Sequence, residues 1–182
     1  MAGGGLNGEQ GMRLRRWGAA LLNSAGMLAV ITAAAILLET MFLPVLQIFG
    51  SSMEPVLHEG DFVVVVRYTA PKRGDIMAFY SGGKILVKRV IGLPGEKVDM
   101  DADGRVYIDG EQLDEPYLEK AASGGCDIDL PCQVPEGSVF VMGDNRGVSA
   151  DSRNLAIGCI PEEQMIGKLI FRVWPTGRGL GI

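Results

Sequence analysis

Histidine is almost absent from this chain: the 182 residues contain only His58. A Ser-His-Asp triad would have to be built on that one ring, and a zinc site of the usual His/Cys kind lacks its ligands. Followed by Glu59-Gly60-Asp61, His58 reads as a solvated loop residue, and no metal or cofactor is expected. Cysteine is sparse as well, with Cys126, Cys132 and Cys159. In an oxidising compartment Cys126 and Cys132 can close a short loop as a disulfide; the alternative is two unpaired thiols, and spacing alone does not choose between them. Cys159, in Ile157-Gly158-Cys159-Ile160, reads as a small hydrophobe. Basic charge is scarce outside the N-terminus: of the net −5, residues 1–16 carry +2 and residues 17–44 only Glu39, which leaves −6 on 45–182. Such a domain has no basic stripe to neutralise phosphates, which argues against nucleic acid as a partner. Helical periodicity is missing beyond residue 45, and long apolar runs are confined to the N-terminal third.

That third is read in two parts. Residues 1–16 are glycine-rich, poor in apolar side chains and basic at Arg13, Arg15 and Arg16, so they are expected to be a disordered cytoplasmic N-terminus. The arginines lead into Trp17 to Leu38, 22 residues without a charge, which as a helix span about 33 Å. A cleavable secretory signal has the same flanks, but its apolar core is about 7–15 residues long, and this run continues through Met41-Phe42-Leu43. Residues 17–43 are therefore predicted to be a single, uncleaved transmembrane anchor in the cell membrane. The arginines before it place the N-terminus in the cytoplasm and residues 44–182 on the far side.

Pro44 ends the helical pattern, and Val45 to Phe49 reads as a short extended segment. Short runs rich in β-branched residues follow, separated by turn residues: Phe62–Val66, Ile76–Tyr80, Ile85–Ile91, Arg105–Ile108, Ser138–Met142 and Gly167–Trp174. Asp103-Gly104 and Asp109-Gly110 are turn dipeptides, so Lys97 to Gln112 reads as a hairpin with a returning strand. The stretch from about 111 to 135, rich in Pro, Gly and acidic residues, is expected to be a surface excursion. The predicted fold is mainly β, an antiparallel-sheet or barrel-like domain over 44–182, preceded by one transmembrane helix. Asp99, Asp101, Asp103 and Gly104 begin like an EF-hand loop, but Gly110 stands where its bidentate Glu belongs, and the flanks are strands.

Three stretches can carry chemistry. Ser52, in Gly50-Ser51-Ser52-Met53-Glu54-Pro55-Val56-Leu57, is a nucleophile candidate in need of a base. Around Lys84-Ile85-Leu86-Val87-Lys88-Arg89-Val90-Ile91, strand alternation puts Leu86, Lys88 and Val90 on one face and Val87, Arg89 and Ile91 on the other. Each internal cation thus has aliphatic neighbours along its own face. Arginine keeps its proton and needs a carboxylate, whereas a desolvated lysine can release its proton and serve as the base that a serine lacking histidine requires. The plain alternative is an edge strand with both cations reaching solvent. The third stretch, Gly143 to Asn154, reads as a turn, yet it also holds two aspartates, two arginines and two serines that can pair Arg89 and orient Lys88.

Together these stretches resemble the type I signal peptidases, membrane-anchored Ser-Lys endopeptidases. The resemblance rests on Gly50–Pro55, Arg73-Gly74-Asp75-Ile76, Lys88–Glu96, and Gly143-Asp144-Asn145-Arg146 with Ser149–Arg153, in that order over roughly residues 40–175. It implies Ser52 as nucleophile, Lys88 as general base and Ser149 as the hydroxyl that orients the lysine. Asp151, Arg153 and Arg89 match a supporting salt-bridged group, with Asp144 and Arg146 as further supports. The implied substrates are secretory preproteins, cut after small residues at the end of the signal peptide through an acyl-enzyme. An extended segment would add to strand edges beside Ser52, and Gln47, Ile48, Met53, Leu57, Leu86 and Val87 are placed to line its pockets. Gly50 stands where some members carry a serine that donates to the oxyanion, so backbone N–H groups would take that role. A self-cleaving Ser-Lys repressor would need a DNA-binding module where this chain has its apolar helix.

Overall fold

The computed structural model describes residues 24–37, 41, 43–67, 69–118 and 122–176. By its contacts the chain divides into two units, Met1–Met41 and Phe42–Ile182. In the first, residues 24–37 form an α-helix whose side chains are exposed all round, Met27, Leu28, Val30, Ile31, Ile36 and Leu37 among them. Among the described residues no helix is long and apolar enough to cross a membrane. Of the predicted span over 17–43, residues 17–23, 38–40 and 42 lie outside the described residues, as does the whole of the N-terminal 1–16.

The second unit is built from antiparallel strands, as its alternating β-branched runs predict. The strands are β1 (Val45–Gln47), β2 (Phe62–Val66), β3 (Ile76–Ser81), β4 (Lys84–Gly92), β5 (Lys97–Met100), β6 (Val106–Ile108), β7 (Glu111–Gln112), β8 (Cys132–Gln133), β9 (Ser138–Met142), β10 (Ile160–Pro161) and β11 (Met165–Trp174). They form a seven-stranded sheet, β1-β2-β11-β3-β4-β9-β10, and a four-stranded sheet, β7-β6-β5-β8. The large sheet is open rather than barrel-like: its order ends at β1 and β10, strands of three and two residues. β8 and β10, at two residues each, are too short to leave a pattern in sequence.

Alternation along β3 shows how the sheet is held. Ile76 and Ala78 join a cluster with Val63, Val65, Leu57 and Met53, while Met77 and Phe79 join Val90, Val139 and Val141. The small sheet packs through Val98 and Val106 on Ile91, Phe140 and Met142. β4 is central to both arrangements. It pairs with β3 from Lys84 to Arg89, Ser81↔Lys84 to Ile76↔Arg89, but with β9 only from Arg89 onward, Arg89↔Met142 to Gly92↔Phe140. Its first half, Lys84 to Lys88, therefore has a backbone edge that β9 does not cover.

Candidate active site

Lys88 lies on the face of β4 predicted for it, between Leu86 and Val90, which pack into the cluster with Met77 and Phe79. The lysine is 3% exposed, and its Nζ donates to Ser52 Oγ at 2.6 Å. Desolvation lowers its pKa from the ordinary 10.5 to about 8; Asp151 and Asp144 pull the other way, and Arg153 assists the lowering. The desolvation comes from the aliphatic neighbours visible in the strand pattern. Near neutrality a minor but useful fraction of Lys88 is the free amine.

Ser52 is carried on a turn that the rest of the domain clamps. Leu57 N–H donates to Met53 O at 2.9 Å, and Met53 and Leu57 plug the core at 2% and 0% exposure. Asp61, fully buried, accepts from the His58 N–H at 3.0 Å and pairs with Arg172 Nε of β11 at 3.0 Å. From the other side, Asn145 N–H donates to Ser52 O at 3.0 Å and Asn145 Nδ2 to Ser51 O at 3.2 Å. Gly143 lies in the same contact. A Cβ there would stand 2.2 Å from Ser149 Oγ and 2.5 Å from Ser52 O, so only glycine lets the loop close on the serine.

The supporting charges pair more specifically than the resemblance implies. Arg89 grips Asp144 with two parallel bonds, Nε to Oδ1 at 2.8 Å and Nη2 to Oδ2 at 2.6 Å, and gives Nη1 to Gly74 O at 2.8 Å. Arg153 grips Asp151 in the same way, at 2.9 and 2.8 Å, while Gly143 N–H donates to Asp151 Oδ2 at 2.9 Å. Burial alone would raise the Asp151 pKa, but the bonds and charge of Arg153 and the Gly143 N–H outweigh it and hold the carboxyl below its ordinary value. Arg146 pairs outside its own loop, with Glu115. Arg73 Nη2 reaches Glu96 at 2.5 Å and so joins the second motif to the third.

Ser149 differs from expectation. Its hydroxyl is buried and has no hydrogen-bond partner among the described residues, so it forms no bond to Lys88, whose Nζ is directed to Ser52. Cys126, Cys132 and Cys159 are all free in this structure. Cys132 faces the core beside Cys159, whose thiol burial pushes up to about 12 with Cys132 adding to the effect, while the Cys126 thiol points to Ile128 O at 3.6 Å.

A groove of about 540 Å³ runs beside the hydroxyl–amine pair, between residues 45–49 and the uncovered half of β4. Gln47, Ile48, Met53, Leu86 and Val87 line it together with Ser52 and Lys88. Leu57 does not, because its turn sends the side chain into the core. A cavity of about 600 Å³ at Arg67, Tyr80, Glu162 and Met165 contains neither Ser52 nor Lys88. Sequence reasoning missed Asp61, Arg172, Glu115 and Tyr117. Only Asp61 left a trace, as an acid closing a Gly-containing turn before a strand.

In this antiparallel β domain a buried amine, not an imidazole, faces a serine hydroxyl at the end of a strand-edged groove, an arrangement of the kind a serine hydrolase needs. Comparison with known proteins narrows this. The family described as "Signal peptidase, peptidase S26" matches residues 21–174. Signal peptidase I of Bacillus amyloliquefaciens is 36% identical over 167 residues, covering 86% of this chain and 89% of that protein. Signal peptidase IB of Staphylococcus aureus is 39% identical over 146 residues, 69% and 75% of the two chains. A crystal structure of a signal peptidase I from Enterococcus faecalis aligns with a TM-score of 0.48 at 36% identity, over 56% of this chain and 97% of that one. The chain belongs to the signal peptidase family and is a serine endopeptidase.

Proposed function

We propose that this chain removes signal peptides from translocated preproteins at the membrane surface, with Ser52 as nucleophile and Lys88 as its general base. The observation that carries the reading is the 2.6 Å contact between Lys88 Nζ and Ser52 Oγ in a desolvated setting. The neutral Lys88 amine takes the Ser52 proton as Oγ bonds to the scissile carbonyl carbon. The tetrahedral oxyanion then collapses, the C–N bond breaks, and the Lys88 ammonium returns the proton to the leaving amine. The mature protein departs and the signal peptide stays as an ester on Ser52. Lys88 next deprotonates a water that attacks this ester, which frees the peptide carboxylate and restores the hydroxyl.

The extended cleavage segment adds along the uncovered edge of Lys84 to Lys88, so that alternate side chains enter the groove lined by Ile48, Met53, Leu86 and Val87. Small residues at the first and third positions before the cut fit that arrangement. The apolar helix over 24–37, exposed on every face, supports an anchor spanning about 17–43, with the N-terminus cytoplasmic and the β domain on the far side. Purified full-length chain in detergent micelles is expected to cut a preprotein at its signal sequence, and Ser52→Ala and Lys88→Ala to lose that activity by at least about 10³-fold. Wild-type turnover retained by either variant contradicts the mechanism.

A further inference from the structure

The excursion between β7 and β8 is more than a surface loop. Tyr117 lies flat against Arg89, its ring centroid 3.9 Å from the guanidinium carbon, and its hydroxyl donates to Glu115 at 2.7 Å. Glu115 in turn pairs with Arg146, with side-chain exposures of 8% and 1%. Arg153 Nη1 donates to Ser123 O at 2.6 Å, and the Asp127 N–H to Arg153 O at 2.8 Å. Arg89, Arg146 and Arg153 are thus each in contact with the described residues of this excursion. The segment is seated elsewhere by the β5–β6 hairpin: a Cβ on Gly104, at φ 85°, would stand 2.2 Å from the Ala122 carbonyl carbon.

We infer that this excursion is a strap that positions the base, with Tyr117 its key residue: by stacking on Arg89 it keeps Arg89 locked on Asp144, and so keeps the Asp144 charge from being spent on the Lys88 ammonium. Tyr117 touches no reacting atom and is a positioning residue. The groups that act on Lys88 are Ser52 from the nucleophile turn and Asp144, Asp151 and Arg153 from the loop after β9, while β3 presents only Met77 to it. Asp144 is neutralised by Arg89, the guanidinium on which the Tyr117 ring stacks. Freeing that guanidinium exposes more of the Asp144 charge to Lys88, stabilises the ammonium and withdraws the free amine. Tyr117 itself stays neutral in the working range, because burial and its bond to Glu115 raise its phenol. The strap inference rests on the Ser52 and Lys88 reading above.

The test is the pH profile of kcat/KM for preprotein cleavage by the full chain in micelles. Tyr117→Leu is expected to move the alkaline-rising limb up by about half a pH unit or more, which lowers kcat/KM about threefold near pH 7 and restores it at alkaline pH. Tyr117→Phe keeps the ring and is expected to leave the limb in place. Gly104→Ala displaces the strap at Ala122 and Ser123, where the hairpin meets it, and is expected to shift the limb in the same direction as Tyr117→Leu. An equal loss at every pH with an unmoved limb, in whichever of Tyr117→Leu and Gly104→Ala folds by circular dichroism, overturns the inference. It leaves the mechanism standing, because the wild-type limb is still present; a wild type with no limb at all sinks the mechanism instead.

Discussion

Burying Lys88 should cost the fold measurable stability, and the pH at which the cost disappears is set by the site. The folded group titrates at about 8 against an ordinary 10.5. At about 1.4 kcal/mol per unit, this penalises the folded state by about 3 kcal/mol wherever both states carry the proton. Lys88→Met keeps the aliphatic stem and removes the charge. It also gives up the bond to Ser52, a loss of about 1 kcal/mol, so the variant should be more stable than wild type by about 2 kcal/mol near pH 7. Between 8 and 10.5 the unfolded chain binds more protons than the folded one, so wild-type stability rises with pH across that window. The advantage of Lys88→Met should therefore shrink from pH 8 upward and be gone above about 10.5. Urea unfolding of the full chain in micelles, followed by circular dichroism at several pH values, measures it. A variant less stable at pH 7, or an advantage that does not change with pH, would refute the reasoning.

The rate of preprotein cleavage should climb through about pH 8 as the Lys88 amine appears, and a profile flat from pH 6 to 10 opposes this. Gly143→Ala should lower kcat by about 10²-fold or more, because the new methyl displaces Ser149 or the Ser52 carbonyl; a steady-state assay on folded variant decides it. Asp144→Asn leaves the Arg89 guanidinium nearly buried without its carboxylate and should destabilise the domain by about 3 kcal/mol in the same urea experiment. Leu57→Ala should cost about 3 kcal/mol of stability while leaving the choice of cleavage site unchanged, whereas Leu86→Ala should alter which side chains are accepted before the cut, as read from a panel of signal sequences.

How much of this was legible in sequence depended on the range of the forces involved. Strand alternation is local, so it could mark Lys88 as an amine whose own face, with Leu86 and Val90, is aliphatic; that Lys88 serves Ser52 came only from the resemblance carried by the ordered motifs. The strands Phe62–Val66 and Ser138–Met142 were readable for the same reason. Leu57 was misplaced in the groove because a turn closed by a single bond to Met53 O reverses its direction, which no periodicity reports. The ion pairs were regrouped in space: Arg89 could be seen to need a carboxylate, but the choice of Asp144 over Asp151 is made by β9 delivering the loop to the end of β4. Glu115 and Tyr117 were unreadable because an aperiodic segment acquires meaning only from what it lies against. The cysteine spacing allowed a bridge between Cys126 and Cys132, but β8 turns Cys132 toward Cys159 instead.

The central claim is that Ser52 carries the acyl group and Lys88 makes it able to. Rapid acid quench of full-length enzyme with excess preprotein, followed by peptide mapping by mass spectrometry, tests it directly. An ester of the signal peptide on Ser52 in the wild type, and none in Lys88→Ala, is the predicted result. An adduct on Ser51, or the same Ser52 adduct forming at an undiminished rate without the lysine, would contradict it.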